Sequence, residues 1–253
     1  MKRYIIFLNI FLTLGLWSCN KKNEKEVQIV KAQNILVEES ISENDSLKKF
    51  IEPYKSSIED EMNKPLSYAQ TSMRKNDTPY NTAIGNMMAD AVFEMANPVF
   101  MNRHKNSIDG VLLNHGGIRA GISKGVITTR TAYQVMPFEN LVVVARLKGM
   151  QVKEMFEYLS RAKKAHPVSN MSVVVDDDWS LEDYSLNGNN VKDDEYYHIA
   201  TSDYLVNGGD NMKFFQKADT VYQIDYKLRT LLIDYFQQND TINPKVDDRF
   251  KKN

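Results

Sequence analysis

The segment LLNHGGIRAGISKG (residues 112–125) joins an apolar run to a loop of unusual composition. The run DGVLL predicts a buried strand that ends at Asn114, and paired glycines, Gly116 and Gly117, and the isolated Arg119 follow it. Paired glycines let backbone amides approach a ligand closely, asparagine offers a donor and an acceptor, and arginine offers a forked donor. The segment therefore predicts a ligand-holding loop after a strand, with a tight turn closed by local hydrogen bonds as the alternative.

A second loop of the same kind follows the strand-like run YYHIATS. Its members are Asn207, Gly208, Gly209 and Asp210. Asp210 can accept hydrogen bonds from hydroxyl groups or from a ring N–H, and Tyr204 lies three residues before the asparagine. Two such loops in one chain favour a binding site, although a local turn remains the alternative for each.

The segment MPFEN (residues 136–140) places Phe138 and Asn140 just before a β-branched run. Phe138 could belong to the core or could serve as a stacking platform for a planar ligand, and Tyr204 has the same ambiguity.

Helical and strand-like periods alternate along the rest of the chain without an internal repeat. The first helix is predicted with Ser46 as its N-cap and an apolar face made of Leu47, Phe50, Ile51, Tyr54, Ile58 and Met62. A second helix is predicted over residues 81–96, where Gly85 indicates close packing. Later runs predict strands over residues 141–147 and 171–176, a helix over 150–162 and a final helix over 226–239. This mixture predicts an α/β or α+β domain.

The N-terminus predicts export and attachment to a membrane. Two basic residues precede an apolar stretch that is short for a membrane span, which is typical of a signal peptide. Cys19, the single cysteine, directly follows it and resembles a lipidation site; a cleaved signal with a chance cysteine is the alternative. We expect a lipoprotein signal over residues 1–18 and a polar tether over 19–46, with a short strand near 28–30. The folded domain would then cover residues 47–253, in the periplasm or on the cell surface.

Composition and motifs exclude several other functions. The formal net charge of −1 over 253 residues gives no sign of a nucleic-acid partner. The four histidines form no H-x-H or H-x-x-x-H pair, so the chain shows no metal-ligand spacing. No nucleophile elbow, phosphate loop or dinucleotide fingerprint occurs, and the acidic run over residues 176–178 indicates a solvated surface.

Taken together, the motifs resemble the 5'-nucleotidase C-terminal domain family. NHGGIR matches the family's N-x-G-G-I-R loop, followed at similar spacing by GVIT, PFEN and, after a strand and an aromatic residue, VNGGD. The resemblance extends from about residue 47 to 250 and includes AIGNMMADA and VDDRF. It implies a four-layer α/β fold and a domain that binds the nucleoside part of a nucleotide.

The resemblance also implies roles for individual residues. Asn114 and Arg119 would contact the substrate, Phe138 and Tyr204 would sandwich the base, and Asp210 would bind the ribose hydroxyls. The chain departs from the family at Tyr80, where many members carry an arginine that precedes the helix; the nearest arginine upstream is Arg74.

A second departure concerns catalysis. Full-length family enzymes carry a metallophosphoesterase domain with a two-metal site before this domain, and residues 20–46 do not supply a dense set of metal ligands. We therefore expect no metal or cofactor on this chain, and divalent metals only on a separate metallophosphoesterase partner. The predicted function is the nucleotide-binding half of a split 5'-nucleotidase; a non-catalytic nucleoside-binding or interaction lipoprotein is the alternative.

Overall fold

The computed structural model describes residues 33–253. The larger unit of the chain, Phe50–Asn253, is compact. The predicted signal peptide, the lipidation site at Cys19 and the short strand near residues 28–30 lie outside the described residues. In the part that the structure describes, no helix is long and apolar enough to span a membrane.

Helices and strands alternate as the sequence predicts. The helices are α1 (Asp45–Met62), α2 (Ala83–His104), α3 (Thr129–Val135), α4 (Gly149–Ala162), α5 (Asp203–Val206) and α6 (Leu228–Gln238). The strands are β1 (Pro65–Ala69), β2 (Gly110–Leu112), β3 (Gly125–Thr128), β4 (Leu141–Lys148), β5 (Val168–Ser169), β6 (Met171–Val175), β7 (Leu181–Leu186), β8 (Tyr196–Ser202), β9 (Thr220–Lys227), β10 (Thr241–Ile242) and β11 (Phe250–Lys252). Short 3₁₀ turns occupy His115–Gly117, Gly209–Asn211 and Lys213–Lys217. The predicted mixed α/β class is confirmed.

Helix α1 forms as predicted, but its N-cap differs from the expectation. The side chain of Asn44, not that of Ser46, accepts hydrogen bonds from the backbone N–H groups of Ser46 and Leu47. Asparagine caps a helix as well as serine does, and the helix begins at Asp45, two residues earlier than a Ser46 cap allows. None of its residues is buried, and its large apolar side chains, among them Phe50 and Tyr54, are exposed.

A five-stranded sheet in the order β5-β2-β8-β4-β9 forms the centre of the larger unit. On one face, its side chains pack with α2 and α6 and with the small sheet β10-β1-β3 in a first core. On the other face, they pack with α4 and the small sheet β11-β6-β7 in a second core. Neighbouring residues of a strand enter opposite cores, as Val144 and Ala145 of β4 do, because successive side chains point to opposite faces.

Helix α2 is longer than predicted and is buried on most sides in its first turns. The hydroxyl of Thr82 caps it by accepting a hydrogen bond from the N–H of Gly85. A Cβ at Gly85 would lie 2.9 Å from that hydroxyl oxygen, so the close packing predicted there is confirmed. The helix continues through Pro98 to His104, eight residues past the predicted end.

Candidate ligand-binding site

Three chain segments converge at one end of the central sheet because of how its strands pair. Strands β2 and β8 run parallel, so the loops that follow them leave the sheet at the same edge. Strand β4 runs antiparallel to β8, with Val142 opposite Ser202, so the segment before β4 reaches that edge too. The sheet topology therefore brings together NHGGIR, MPFEN and the segment from Tyr204 to Asp210.

A cavity of about 310 Å³ opens between these three segments. Its lining residues are Asn114, Gly116, Gly117, Arg119, Met136, Phe138, Asn140, Ser202, Tyr204 and Asp210. Eight of the eleven binding residues proposed from the sequence are in this set, although they are up to 96 positions apart. The cavity combines two partly exposed aromatic rings with one cation, one carboxylate and two amides.

The two glycine-rich loops are joined directly by a hydrogen bond. The side-chain amide of Asn114 donates to the carboxylate of Asp210 over 2.7 Å. The amide can lie there because Gly117 has no side chain; a Cβ at that position would lie 2.8 Å from the Asn114 amide oxygen. The asparagine and the aspartate therefore bond across the site, rather than closing two separate local turns.

Tyr204 lies against the second loop. Its hydroxyl donates to the Asp210 carboxylate over 3.2 Å and accepts the Asp210 backbone N–H over 3.3 Å. A Cβ at Gly209 would collide with the tyrosine ring, so only glycine permits this contact. Gly208 has a φ of +89°, which a residue with a side chain rarely adopts, and Asn207 donates back to the backbone of Asp203. The remaining three proposed residues thus shape the turn and do not line the cavity.

Phe138 is 42% exposed, which settles the choice between core and surface for this ring. It lies on the cavity wall with the guanidinium of Arg119 5.8 Å from its centre. Asn140, at the end of the same segment, donates to the carboxylate of Asp203 and so ties the segment to the start of α5. Phe138 and Tyr204 make no ring contact with each other in the described part of the chain, and both rings are free to contact a ligand.

Arg229 supports the Phe138 segment, and the sequence reasoning missed it. Its buried guanidinium donates to the backbone carbonyls of Met136, Pro137 and Phe138, and it pairs with the carboxylate of Glu139. It also lies 4.1 Å from the ring centre of Tyr133. The one feature of the sequence that could have indicated this role is the position of Arg229 among the apolar residues at the start of α6.

Tyr158 and His166 each make a hydrogen bond to the backbone of one of the two glycine-rich loops. The hydroxyl of Tyr158, on α4, donates to the Asp210 backbone carbonyl over 2.8 Å. The Nδ1 atom of His166 accepts the backbone N–H of His115 over 3.2 Å. Burial lowers the pKa of His166 to about 4, so the ring is neutral at pH 7 and keeps its acceptor nitrogen.

The fold should lose stability through His166 as the pH falls. Its pKa is about 4 in the folded chain and about 6.5 when unfolded, so below pH 6.5 the unfolded chain binds the proton more readily. At about 1.4 kcal/mol per pH unit, this residue should cost about 2 kcal/mol of stability at pH 5. Urea unfolding at pH 7.5 and 5.0 checks this, with His166→Gln as the comparison. An equal loss of stability in both proteins would contradict the assignment.

A group of cations borders the cavity beside the NHGGIR loop. Arg74, Lys75 and Arg119 line one adjoining pocket, and Lys75, Lys163 and Lys164 line another together with His115. One carboxylate, that of Asp77, lines both pockets, so cations outnumber carboxylates in each. Within residues 33–253 none of these arginines and lysines pairs with a carboxylate; Lys75 donates to the backbone carbonyl of Ile118. This side of the site can therefore attract an anionic ligand.

Comparison with known protein families identifies the family of this chain. The profile of the family described as "5'-nucleotidase, C-terminal domain" matches residues 61–217. The chain belongs to the 5'-nucleotidase C-terminal domain family. The fold class implied by the resemblance of the motifs is thereby confirmed.

Relatives in this family are much longer than the present chain. The trifunctional nucleotide phosphoesterase protein YfkN of Bacillus subtilis is 28% identical over 236 residues, which are 85% of this chain and 16% of that protein. The cell wall protein Lmo0130 of Listeria monocytogenes is 29% identical over 216 residues, which are 76% of this chain and 27% of that protein. The 5'-nucleotidase precursor of Thermus thermophilus superposes with a TM-score of 0.68 at 19% identity, over 83% of this chain and 43% of that one.

The departure from the 5'-nucleotidase C-terminal pattern at Tyr80 has a structural explanation. The Tyr80 ring packs against Trp179 at 4.8 Å and Phe250 at 5.9 Å in the second core, away from the cavity. Arg74 instead lines the pocket that contains Arg119. Arg74 thus lies beside the NHGGIR loop.

The described residues do not fit the two-metal site of full-length family enzymes. Residues 33–253 contain no group of three histidine, cysteine, aspartate or glutamate side chains that could hold a metal ion. The arrangement offers stacking surfaces, hydrogen-bond donors and acceptors, and positive charge, which suit ligand binding.

Proposed function

We propose that this protein is the nucleotide-binding half of a split 5'-nucleotidase-type phosphohydrolase. The observation that carries the proposal is the cavity in which Phe138, Tyr204, Arg119 and Asp210 face one space. Two aromatic rings can stack on a base, and a carboxylate can accept hydrogen bonds from a sugar. Nucleoside sites in general combine such apolar surfaces with a few placed polar groups.

The unpaired cations support a phosphorylated ligand. Arg119 belongs both to the cavity and to the pocket lined by Arg74 and Lys75, so a ligand bound through its base could extend into positive charge. Phosphate oxygens are favourable partners for such groups. The proposed ligand is therefore a nucleotide, with the nucleoside held in the cavity.

We further propose that catalysis comes from a separate metallophosphoesterase chain that carries the divalent metals. Support comes from the name of one relative, which is called a nucleotide phosphoesterase. Binding energy from the nucleoside would help such a partner act on nucleotides. The protein would work outside the cytoplasm, attached through lipid at Cys19; a relative that is named as a cell wall protein favours this location.

Titration calorimetry of the full chain with adenosine and AMP tests the proposal, together with Phe138→Ala. We expect both ligands to bind, and no phosphate to be released from AMP by this chain alone. Base stacking on an aromatic ring contributes about 1–3 kcal/mol, so Phe138→Ala should weaken binding at least about fivefold.

Tyr68→Ala is the matched control, because Tyr68 on β1 is 41% exposed and lies outside the cavity. Its affinity for AMP should equal that of the wild type. If Phe138→Ala binds AMP as tightly as Tyr68→Ala does, the ring is not a stacking surface. Absence of binding by the wild type would refute a nucleotide site on this chain alone.

A further inference from the structure

Helix α1 carries an apolar stripe along its whole length, and none of its residues is buried. The large apolar side chains of the stripe are each more than half exposed; they are Leu47, Phe50, Ile51, Tyr54 and Ile58. None of them lines the ligand cavity or belongs to either hydrophobic core of the described residues. The stripe is therefore an open surface in the part of the chain that the structure describes.

The helix has few internal sources of stability. An isolated helix of 18 residues is only marginally stable in water, and Pro53 in its interior removes a backbone hydrogen bond. Its last turn contains Glu59, Asp60 and Glu61 and no basic residue, so carboxylates lie at the negative end of the helix dipole. The exposed ion pair between Glu59 and Arg130 offsets little of this. Packing of the apolar stripe against a partner would supply the missing stability.

The charges of α1 indicate which kind of partner fits. Its three lysines, Lys48, Lys49 and Lys55, all precede the acidic last turn. In total α1 has five carboxylates and three lysines, whereas helices that lie on anionic membranes carry mostly lysine and arginine on their polar face. A fitting partner brings basic side chains to the last turn and acidic side chains to the lysines. A second α1 that runs in the opposite direction does both.

We propose that α1 is a dimerisation surface, which packs antiparallel against α1 of a second copy of this chain. In a pair whose two-fold axis passes between Tyr54 and Lys55, Leu47 of one copy lies opposite Met62 of the other. The same register places Ile51 opposite Ile58. Apolar side chains thus meet along the whole length of the two helices.

This register also brings opposite charges together. Lys48 of one copy lies beside Glu61 of the other, and the two-fold axis repeats the contact. A parallel pair would instead place Lys48 beside Lys48 and the two acidic last turns beside each other. The charges therefore select the antiparallel orientation.

Sedimentation velocity of the full chain tests the inference, and charge reversal tests the register. A single helix pair is a small interface, so we expect a monomer–dimer equilibrium between about 1 and 200 μM. Lys48→Glu and Glu61→Lys should each raise the dissociation constant of the dimer at least about fivefold, because two attractions per dimer become repulsions. The variant with both reversals regains the attractions, so its dissociation constant should lie within about twofold of the wild type.

A change in the stability of the helix cannot produce this pattern. Lys48→Glu adds an acid near the N-terminus of α1 and Glu61→Lys adds a base near its C-terminus, and both changes favour the isolated helix. Lys213→Glu, at an exposed lysine outside α1, is the matched control and should dimerise like the wild type. The AMP affinity of all these variants should equal that of the wild type, because α1 does not line the cavity. Failure of this inference therefore leaves the proposed nucleotide site standing.

Cysteine cross-linking checks the orientation of the two helices. In a chain that carries Cys19→Ser, the variants Ile51→Cys and Ile58→Cys are mixed and treated with a short bismaleimide. The mixed cross-link should form faster than either variant links to itself, because like positions lie about 10 Å apart along the helix axis. Faster links between like positions would overturn the antiparallel arrangement. A wild type that stays monomeric over the whole concentration range, or single reversals that dimerise like the wild type, would overturn the proposed surface.

Discussion

Replacing Arg229 with methionine should lower the free energy of unfolding by about 2–4 kcal/mol and weaken AMP binding as well. The guanidinium is buried and donates to three consecutive backbone carbonyls, those of Met136, Pro137 and Phe138. Hydrogen bonds from a charged donor contribute about 1.5–3 kcal/mol, and methionine replaces none of them. The segment that carries Phe138 would then move, and a displaced ring stacks poorly on a base. Urea unfolding and calorimetry with AMP measure the two effects.

Lys227→Met is the matched control for this variant. Lys227 pairs with the same Glu139, but its side chain is 53% exposed, and an exposed pair of this kind contributes at most about 1 kcal/mol. We expect little change in stability and none in AMP affinity. If Arg229→Met loses stability but binds AMP like Lys227→Met, Arg229 supports the fold without positioning Phe138.

Replacing Arg249 with methionine should destabilise the fold by about 2–4 kcal/mol. Its guanidinium binds both oxygens of Asp90 on α2 over 2.8 and 3.0 Å, the carboxylate of Asp247, and the backbone carbonyl of Val168. This network ties the C-terminal segment to α2 and β5 between the two cores. Its removal leaves Asp90 as a partly buried charge without its cation, and it also leaves the carbonyl of Val168 without this charged donor. Thermal or urea unfolding at pH 7 measures the loss.

Two further variants separate the contribution of the charges from that of packing to the stability of the fold. Lys217→Met breaks the exposed pair with Glu154 and should cost less than about 1 kcal/mol. Adding Asp90→Asn to Arg249→Met should restore part of the loss, because a neutral amide needs no cation. A loss of less than about 1 kcal/mol in Arg249→Met would show that the network contributes little.

Much of the fold follows from local patterns in the sequence. The apolar run that ends at Asn114 forms a buried strand, and the β-branched run before Lys148 forms β4. Helix α2 runs past its predicted end through Pro98, because its packing in the core outweighs the missing backbone donor of a proline. Helix α1 has the predicted amphipathic spacing, yet no residue of it is buried, since periodicity shows which face is apolar and not what covers it.

Supporting residues were harder to predict than the loops that they support. Tyr158 and His166 each act through one hydrogen bond, and Arg229 acts through three hydrogen bonds and an ion pair. The hydrogen-bond partners of these three residues lie 51 to 93 positions away in the sequence. These residues do not form a sequence motif with a recognisable spacing. A tyrosine or histidine on an apolar face is usually a core residue. Only the folded chain shows which backbone groups they reach.

The sequence by itself determined many of the longer elements and the two glycine-rich loops, because these depend on local periodicity and on the backbone freedom of glycine. Only the tertiary structure decided that the loops meet. The parallel pairing of β2 with β8 and the antiparallel pairing of β4 with β8 bring Asn114, Phe138 and Asp210 to one edge of the sheet. Strand pairing depends on contacts between residues that are far apart in the sequence and on packing against both cores. No single stretch of sequence therefore determines it.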